Sequence, residues 1–121
     1  MLLYEELSNK IVGAFFSVHN ALGAGLLESC YHNALYYELE SLGLNVVYNA
    51  ALNVFYKGKQ VGEFYTDLAV NNKVIIEIKS VKSLSSMHEA QLFNYMHISK
   101  CRVGFLVNFQ GTRVVFKRFV V

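Results

Sequence analysis

The sequence predicts an α/β fold of the α+β kind: a mixed β-sheet flanked by helices, in the order α-α-β-β-β-α-β-β. Three observations predict it. Apolar residues recur at three- and four-residue steps early in the chain and again near residue 90. β-branched and aromatic runs punctuated by Gly and Asn fill the remainder. The 121 residues are 54% hydrophobic and 17% charged, enough to close one core and too few for two. Residues 1–121 are therefore read as a single domain.

In order, residues 3–22 predict a helix whose apolar face carries Leu3, Leu7, Ile11, Ala14, Phe15, Val18 and Leu22. "GAG" at 23–25 ends it, because glycine adopts the positive φ angles of helix ends. A second helix is expected from about Leu26 to Leu42, with Leu27, Tyr31, Leu35, Leu39 and Leu42 on one stripe and Gly43 as its stop. From Val46 the pattern turns to strands, placed at 46–56, 60–70 and 73–80, with "YKGK" and "NNK" as turns. "SMHE", Ser86 to Glu89, reads as a capping box opening a third helix that runs to about Ile98. Two strands, near 102–109 and 112–120, are joined at "QG".

Bulk properties narrow the function. A net charge of +2 permits a nucleic-acid partner without demanding one. Cys30 and Cys101 have no metal-ligand spacing and form no disulfide framework, so both are expected as reduced thiols in a cytoplasmic protein. The start, "MLLYEELSNK", carries acids where a signal peptide has bases. No apolar run approaches the roughly 18 residues of a membrane span, so no membrane partner is expected. His19, His32, His88 and His97 lack zinc spacing, and neither a phosphate loop nor a nucleophile elbow appears.

The chemistry concentrates in "YTDLAVNNKVIIEIKS", residues 65–80. Charged residues are costly inside a sheet unless they are paired or used. Strand alternation turns Val74, Ile76 and Ile78 to one face and Ile75, Glu77 and Lys79 to the other. Asp67 lies on the preceding strand, within reach of Glu77. Two carboxylates at one spot suit a hard cation, Mg²⁺ or Mn²⁺, held by oxygen ligands. A lysine beside them can stabilise phosphate charge or polarise water. The competing reading is a surface Glu–Lys pair, worth roughly 0–1 kcal/mol.

Loop parity decides whether the two acids meet. A strict two-residue loop at Asn71 and Asn72 pairs Val70 with Lys73 and sets Asp67 opposite Ile76. The acids then face opposite sides. A shared site requires an odd loop or a β-bulge.

In "HEAQLFNYMH", Gln91 and Tyr95 are four apart on one helix face, and His88 shares that side. This helix can pack over the sheet and aim these groups at the acids. Core packing for Tyr95 and turn capping for Gln91 are the alternatives.

Asp67, the "EIK" of Glu77 to Lys79, and "QLFNY" from Gln91 to Tyr95 together resemble the PD-(D/E)XK nuclease superfamily, in its RecB-like branch with a QxxxY motif. "GLLESCY", Gly25 to Tyr31, resembles the signature of the GxxExxY family within that superfamily. The likeness runs roughly from His19 to Val120 and implies a restriction-endonuclease-like core with an extra leading helix. It implies Asp67 and Glu77 as metal ligands, with Glu28 as the acid of the first core helix. Lys79 would be the catalytic lysine, and Gln91 would act beside it. Gln91, Tyr95 and His88 would support the site or contact substrate. The proline of the superfamily's name is replaced by Thr66.

The function these residues imply is Mg²⁺-dependent hydrolysis of phosphodiester bonds in DNA, with RNA second. The alternative is a non-catalytic module of the same fold that binds nucleic acid or a protein. Lys57, Lys59, Lys82, Arg113, Lys117 and Arg118 are candidates for a backbone-binding rim. The apolar tail "VVFKRFVV" is a candidate sheet-edge contact for a homodimer.

Overall fold

The computed structural model describes residues 2–121. Helices α1 (Glu5–Leu22) and α2 (Glu28–Ser41) precede strands β1 (Val46–Tyr56), β2 (Lys59–Val70) and β3 (Val74–Lys79). Helix α3 (Ser86–Ser99) leads to β4 (Val103–Asn108) and β5 (Val115–Val120). The order matches the expected one. The differences lie at element ends and have local causes. α1 starts at Glu5 because Tyr4 is left-handed, with φ 52°. α2 starts at Glu28 because Leu27 is still extended. The capping box of α3 is Ser85 with His88, one residue before the expected one, and His88 Nδ1 accepts the Ser85 N–H at 3.0 Å.

The five strands lie in chain order across one sheet. β3 and β4 are parallel, joined by α3 as the crossover, and the other neighbours are antiparallel. One face packs on α1 and α2 through Phe15, Leu35, Leu68, Ile76, Ile78 and Phe105. The other packs on α3 through Ile75, Leu92, Tyr95, Met96 and Leu106. Gly104 brings α3 close to β4, since a Cβ there would lie 2.7 Å from Met96 Sδ. Burial on both faces explains the continuous apolar run of β3.

The β2–β3 connection has three residues, not two. Asn71 and Asn72 both take left-handed φ, 53° and 54°, and Lys73 is the extra residue. The ladder then runs Val70↔Val74, Ala69↔Ile75 and Leu68↔Ile76 and stops there. Odd parity sets Asp67 opposite Glu77, as a shared site requires.

β1 and β2 form a long hairpin that continues past this point to the turn at Lys57 and Gly58. Both strands change face near its middle. Tyr48 stacks on His32 of α2 at 4.0 Å, whereas Leu52 packs in the α3 cluster. Leu68 lies in the α1/α2 cluster, whereas the Phe64 ring is 6.1 Å from Tyr95 of α3. In an unbroken strand, residues four apart share a face. The switch falls at Asn49, whose φ is 50°, and the ladder skips from Tyr48↔Leu68 to Ala50↔Thr66.

Candidate active site

β2 and β3 part company beyond Leu68 and Ile76, and Asp67 and Glu77 occupy the fork. Their carboxylates take the place of ladder acceptors. The Ile78 N–H donates to Asp67 Oδ2 at 2.7 Å, and the Asp67 N–H donates to Glu77 Oε2 at 2.8 Å. The Thr66 hydroxyl donates to the same Glu77 oxygen at 2.8 Å. Among the described residues, then, hydrogen bonds reach one oxygen of each carboxylate. The second oxygen of each makes no hydrogen bond among the described residues.

Burial pushes the Glu77 carboxyl up to about 7, and the neighbouring Asp67 charge adds to the effect. The Asp67 N–H, the Thr66 hydroxyl and Lys79 act in the opposite direction. Burial also raises Asp67, against the Ile78 N–H, His32 and Lys79. Two acids pressed together in a half-dry fork repel each other, and a bound cation would relieve that repulsion. The donor set is oxygen-only, which fits Mg²⁺ or Mn²⁺.

Lys79 projects from the same face of β3 as Glu77 and donates from Nζ to Gln91 Oε1 at 3.1 Å. Gln91 Nε2 donates in turn to the Tyr95 hydroxyl at 3.1 Å. The i, i+4 pair on α3 therefore forms a chain that ends on the lysine. Burial and the Glu77 charge raise the Tyr95 phenol, which keeps it protonated.

Glu28 and His88 are the remaining two candidates. Glu28 opens α2, exposed, beside a cavity of about 390 Å³ lined with Gly25, Leu26, Leu27, Ser80 and Gln110. Among the described residues, no group of three or more His, Cys, Asp or Glu side chains is arranged to hold a metal, so Glu28 does not join Asp67 and Glu77. His88 caps α3 through Nδ1. Of the "GLLESCY" residues, Gly25 takes φ 90°, and its missing Cβ would meet nothing, so backbone freedom explains it. Tyr31 is fully buried; it donates to the Gly23 carbonyl at 2.6 Å, accepts from the Leu26 N–H and stacks on Phe109 at 4.8 Å. This ties the α1–α2 turn to the core.

The structure adds residues that sequence reasoning passed over. His32 Nε2 lies 2.9 Å from the Asp67 carbonyl oxygen and anchors β2 to α2. Thr66 is fully buried against Glu77. Asn108 pins the segment after β3, through Oδ1 to the Val81 N–H and Nδ2 to the Val81 carbonyl. His32 carried one signal, its place beside Tyr31 on the buried stripe of α2. Of the basic rim, Lys117 pairs with Glu89 at 2.7 Å, and Arg118 is half-buried against Ser8 and the Leu3 carbonyl.

A family model of the PD-(D/E)XK nuclease superfamily matches residues 5–119. No curated protein sequence matches the chain. Among solved structures, the crystal structure of SSO0001 superposes with a TM-score of 0.64 at 19% identity, over 97% of this chain. This chain spans 59% of that one's length. At such identity the likeness is one of fold. No helix among the described residues is long and apolar enough to cross a membrane. With the family match running over nearly the whole chain, and the fork of β2 and β3 holding an Asp, a Glu and a Lys, the chain belongs to the PD-(D/E)XK nuclease superfamily.

Proposed function

We propose that residues 1–121 act as one nuclease domain that hydrolyses phosphodiester bonds of DNA, with RNA as the second substrate, using Mg²⁺ or Mn²⁺. One observation carries this reading: Asp67 and Glu77 share the fork, each with one oxygen tied to the chain, and Lys79 lies beside them. Asp67 and Glu77 would hold the ion. When bound, it supplies Lewis-acid charge to the phosphate and acidifies water. Glu28 is not grouped with these acids; it borders a cavity with Ser80 and Gln110, and its part would be to face substrate there.

Lys79 meets the charge that develops on the phosphate oxygens. Gln91 holds the ammonium in place, and Tyr95 holds Gln91. His88 and Tyr95 line the helix that borders the substrate path. The water oxygen forms a new P–O bond, the bridging P–O bond breaks, and the departing oxygen takes a proton. We assign the chain to the GxxExxY family on Gly25, Glu28 and Tyr31, and to the QxxxY branch on Gln91 and Tyr95. Its setting would be cytoplasmic. A homodimer through the β5 edge, where Val115 and Val120 are exposed, would give two sites for two strands.

The second reading, a non-catalytic module that binds nucleic acid or a protein, draws support from the lack of a three-acid group among the described residues. Cleavage of single- and double-stranded DNA and RNA with Mg²⁺ and Mn²⁺ separates the two. Cleavage by the wild type and none by Glu77→Ala supports the nuclease. Binding without cleavage under every metal supports the module.

A further inference from the structure

Thr66 stands where the superfamily's name has proline, and nothing in the reaction as described uses it. Its surroundings are specific. The side chain is fully buried, and its hydroxyl donates to Glu77 Oε2 at 2.8 Å. Thr66 reaches that oxygen because β1 and β2 have already changed face. With regular alternation from Leu68, Thr66 would point toward α1 and α2, away from Glu77. The left-handed Asn49 lies between the paired residues Tyr48 and Ala50, where both strands turn over. A non-glycine residue at φ 50° inside a strand is strained, and Asn is among the side chains that tolerate it best.

We propose that Thr66 is a positioning residue for Glu77: its hydroxyl, turned inward by the break at Asn49, fixes one carboxylate oxygen and aims the other at the ligand position beside Asp67. Two donors converge on Oε2, the Thr66 hydroxyl from the side chain and the Asp67 N–H from the backbone. Together they remove rotation about the last bond of Glu77. The Asp67 N–H alone leaves a hinge. Groups that orient a metal ligand in this way are worth about 10–100-fold in metal affinity.

The ligand half of this inference rests on the cation reading of Asp67 and Glu77; the positioning half does not. The test therefore has two arms on wild type, Thr66→Val and Thr66→Ser. The first follows hydrogen exchange of the Asp67 amide by NMR in metal-free protein. Thr66→Val keeps the shape and deletes the donor, so the carboxylate swings and Asp67 amide protection falls about tenfold or more. Thr66→Ser keeps the donor and stays near wild type. The second arm is calorimetric titration with Mn²⁺, where Thr66→Val loses about 10–100-fold in affinity and Thr66→Ser loses little.

Unchanged Asp67 protection in Thr66→Val overturns the proposal. So does equal loss in both variants, which would mark Thr66 as packing only. Failure of the wild type to bind Mn²⁺, with the exchange result intact, overturns the cation reading and leaves the positioning of Glu77 standing. Asn49→Gly keeps left-handed backbone accessible and should match wild type in both arms. Asn49→Val opposes it and should behave as Thr66→Val.

Discussion

The two halves of the β2–β3 pair are built on opposite terms. From Leu68 to Val70, against Val74 to Ile76, the backbone ladder is intact and the outward residues are apolar. From Asp67 outward the ladder is gone, and carboxylates occupy the acceptor positions. Glu77 is only 3% exposed, although its charge is disfavoured there. The closed half contributes stability through apolar burial. The open half costs stability and holds the residues of the proposed chemistry. A shared strand pair lets the first fix the geometry of the second, because the last ladder pair, Leu68 and Ile76, directly adjoins Asp67 and Glu77.

Mutations that treat the halves differently break or sharpen this contrast. The largest effect is expected in the closed half. Ile76→Ala opens a cavity among Leu68, Phe105 and α2 and should cost ~2–5 kcal/mol in denaturant unfolding. Its activity per folded molecule should stay near wild type. An unaltered unfolding midpoint would show that the closed half is not the anchor.

In the open half, Lys79→Ala should lose about 10²–10³ in single-turnover rate, roughly 3–4 kcal/mol, with unfolding little changed. Substrate binding should hold. A loss confined to binding, with a salt slope smaller by about one, would make Lys79 a backbone contact.

Glu77→Gln should stabilise metal-free protein, by up to about 3 kcal/mol at pH 8. The sign follows from the raised folded value. Between the ordinary 4.5 and about 7 the folded state holds more protons than the unfolded state, so stability falls as pH rises through that window and levels off above it. The variant should flatten this slope. A wild-type stability that rises from pH 4.5 to 7 would contradict the burial of an ionising Glu77.

The smallest effect belongs to the surface. Lys117→Ala breaks the pair with Glu89 between β5 and α3 and should cost at most ~1 kcal/mol in a thermal melt, less in high salt. A larger cost would mean that the helix crossover depends on this pair.

Much of the closed half was legible, because alternation in "KVIIEIK" assigns each side chain a face without knowledge of partners. The same rule placed Glu77 and Lys79 together, and helical spacing placed Gln91 with Tyr95. The parity of "NNK" was not legible, since two left-handed Asn residues fit a two-residue loop and leave Lys73 to go either way. Nor was the face switch at Asn49, because alternation assumes a strand without breaks. Thr66 was read as a missing proline, and its contact with Glu77 depends on that switch. Glu28 carried the right spacing from Tyr31, yet the first turn of α2 points it to solvent while Tyr31 turns inward.

The central claim is that Asp67 and Glu77 form one cation site. Calorimetric titration with Mn²⁺ at pH 6, 7 and 8, in buffers of different ionisation enthalpy, tests it most directly. Because Glu77 ionises near 7, binding should release protons at pH 6, and affinity should rise from pH 6 to 8. Asp67→Asn should weaken binding by about tenfold or more and reduce the proton release. Equal affinity in wild type and Asp67→Asn, with no proton release at pH 6, would contradict the claim.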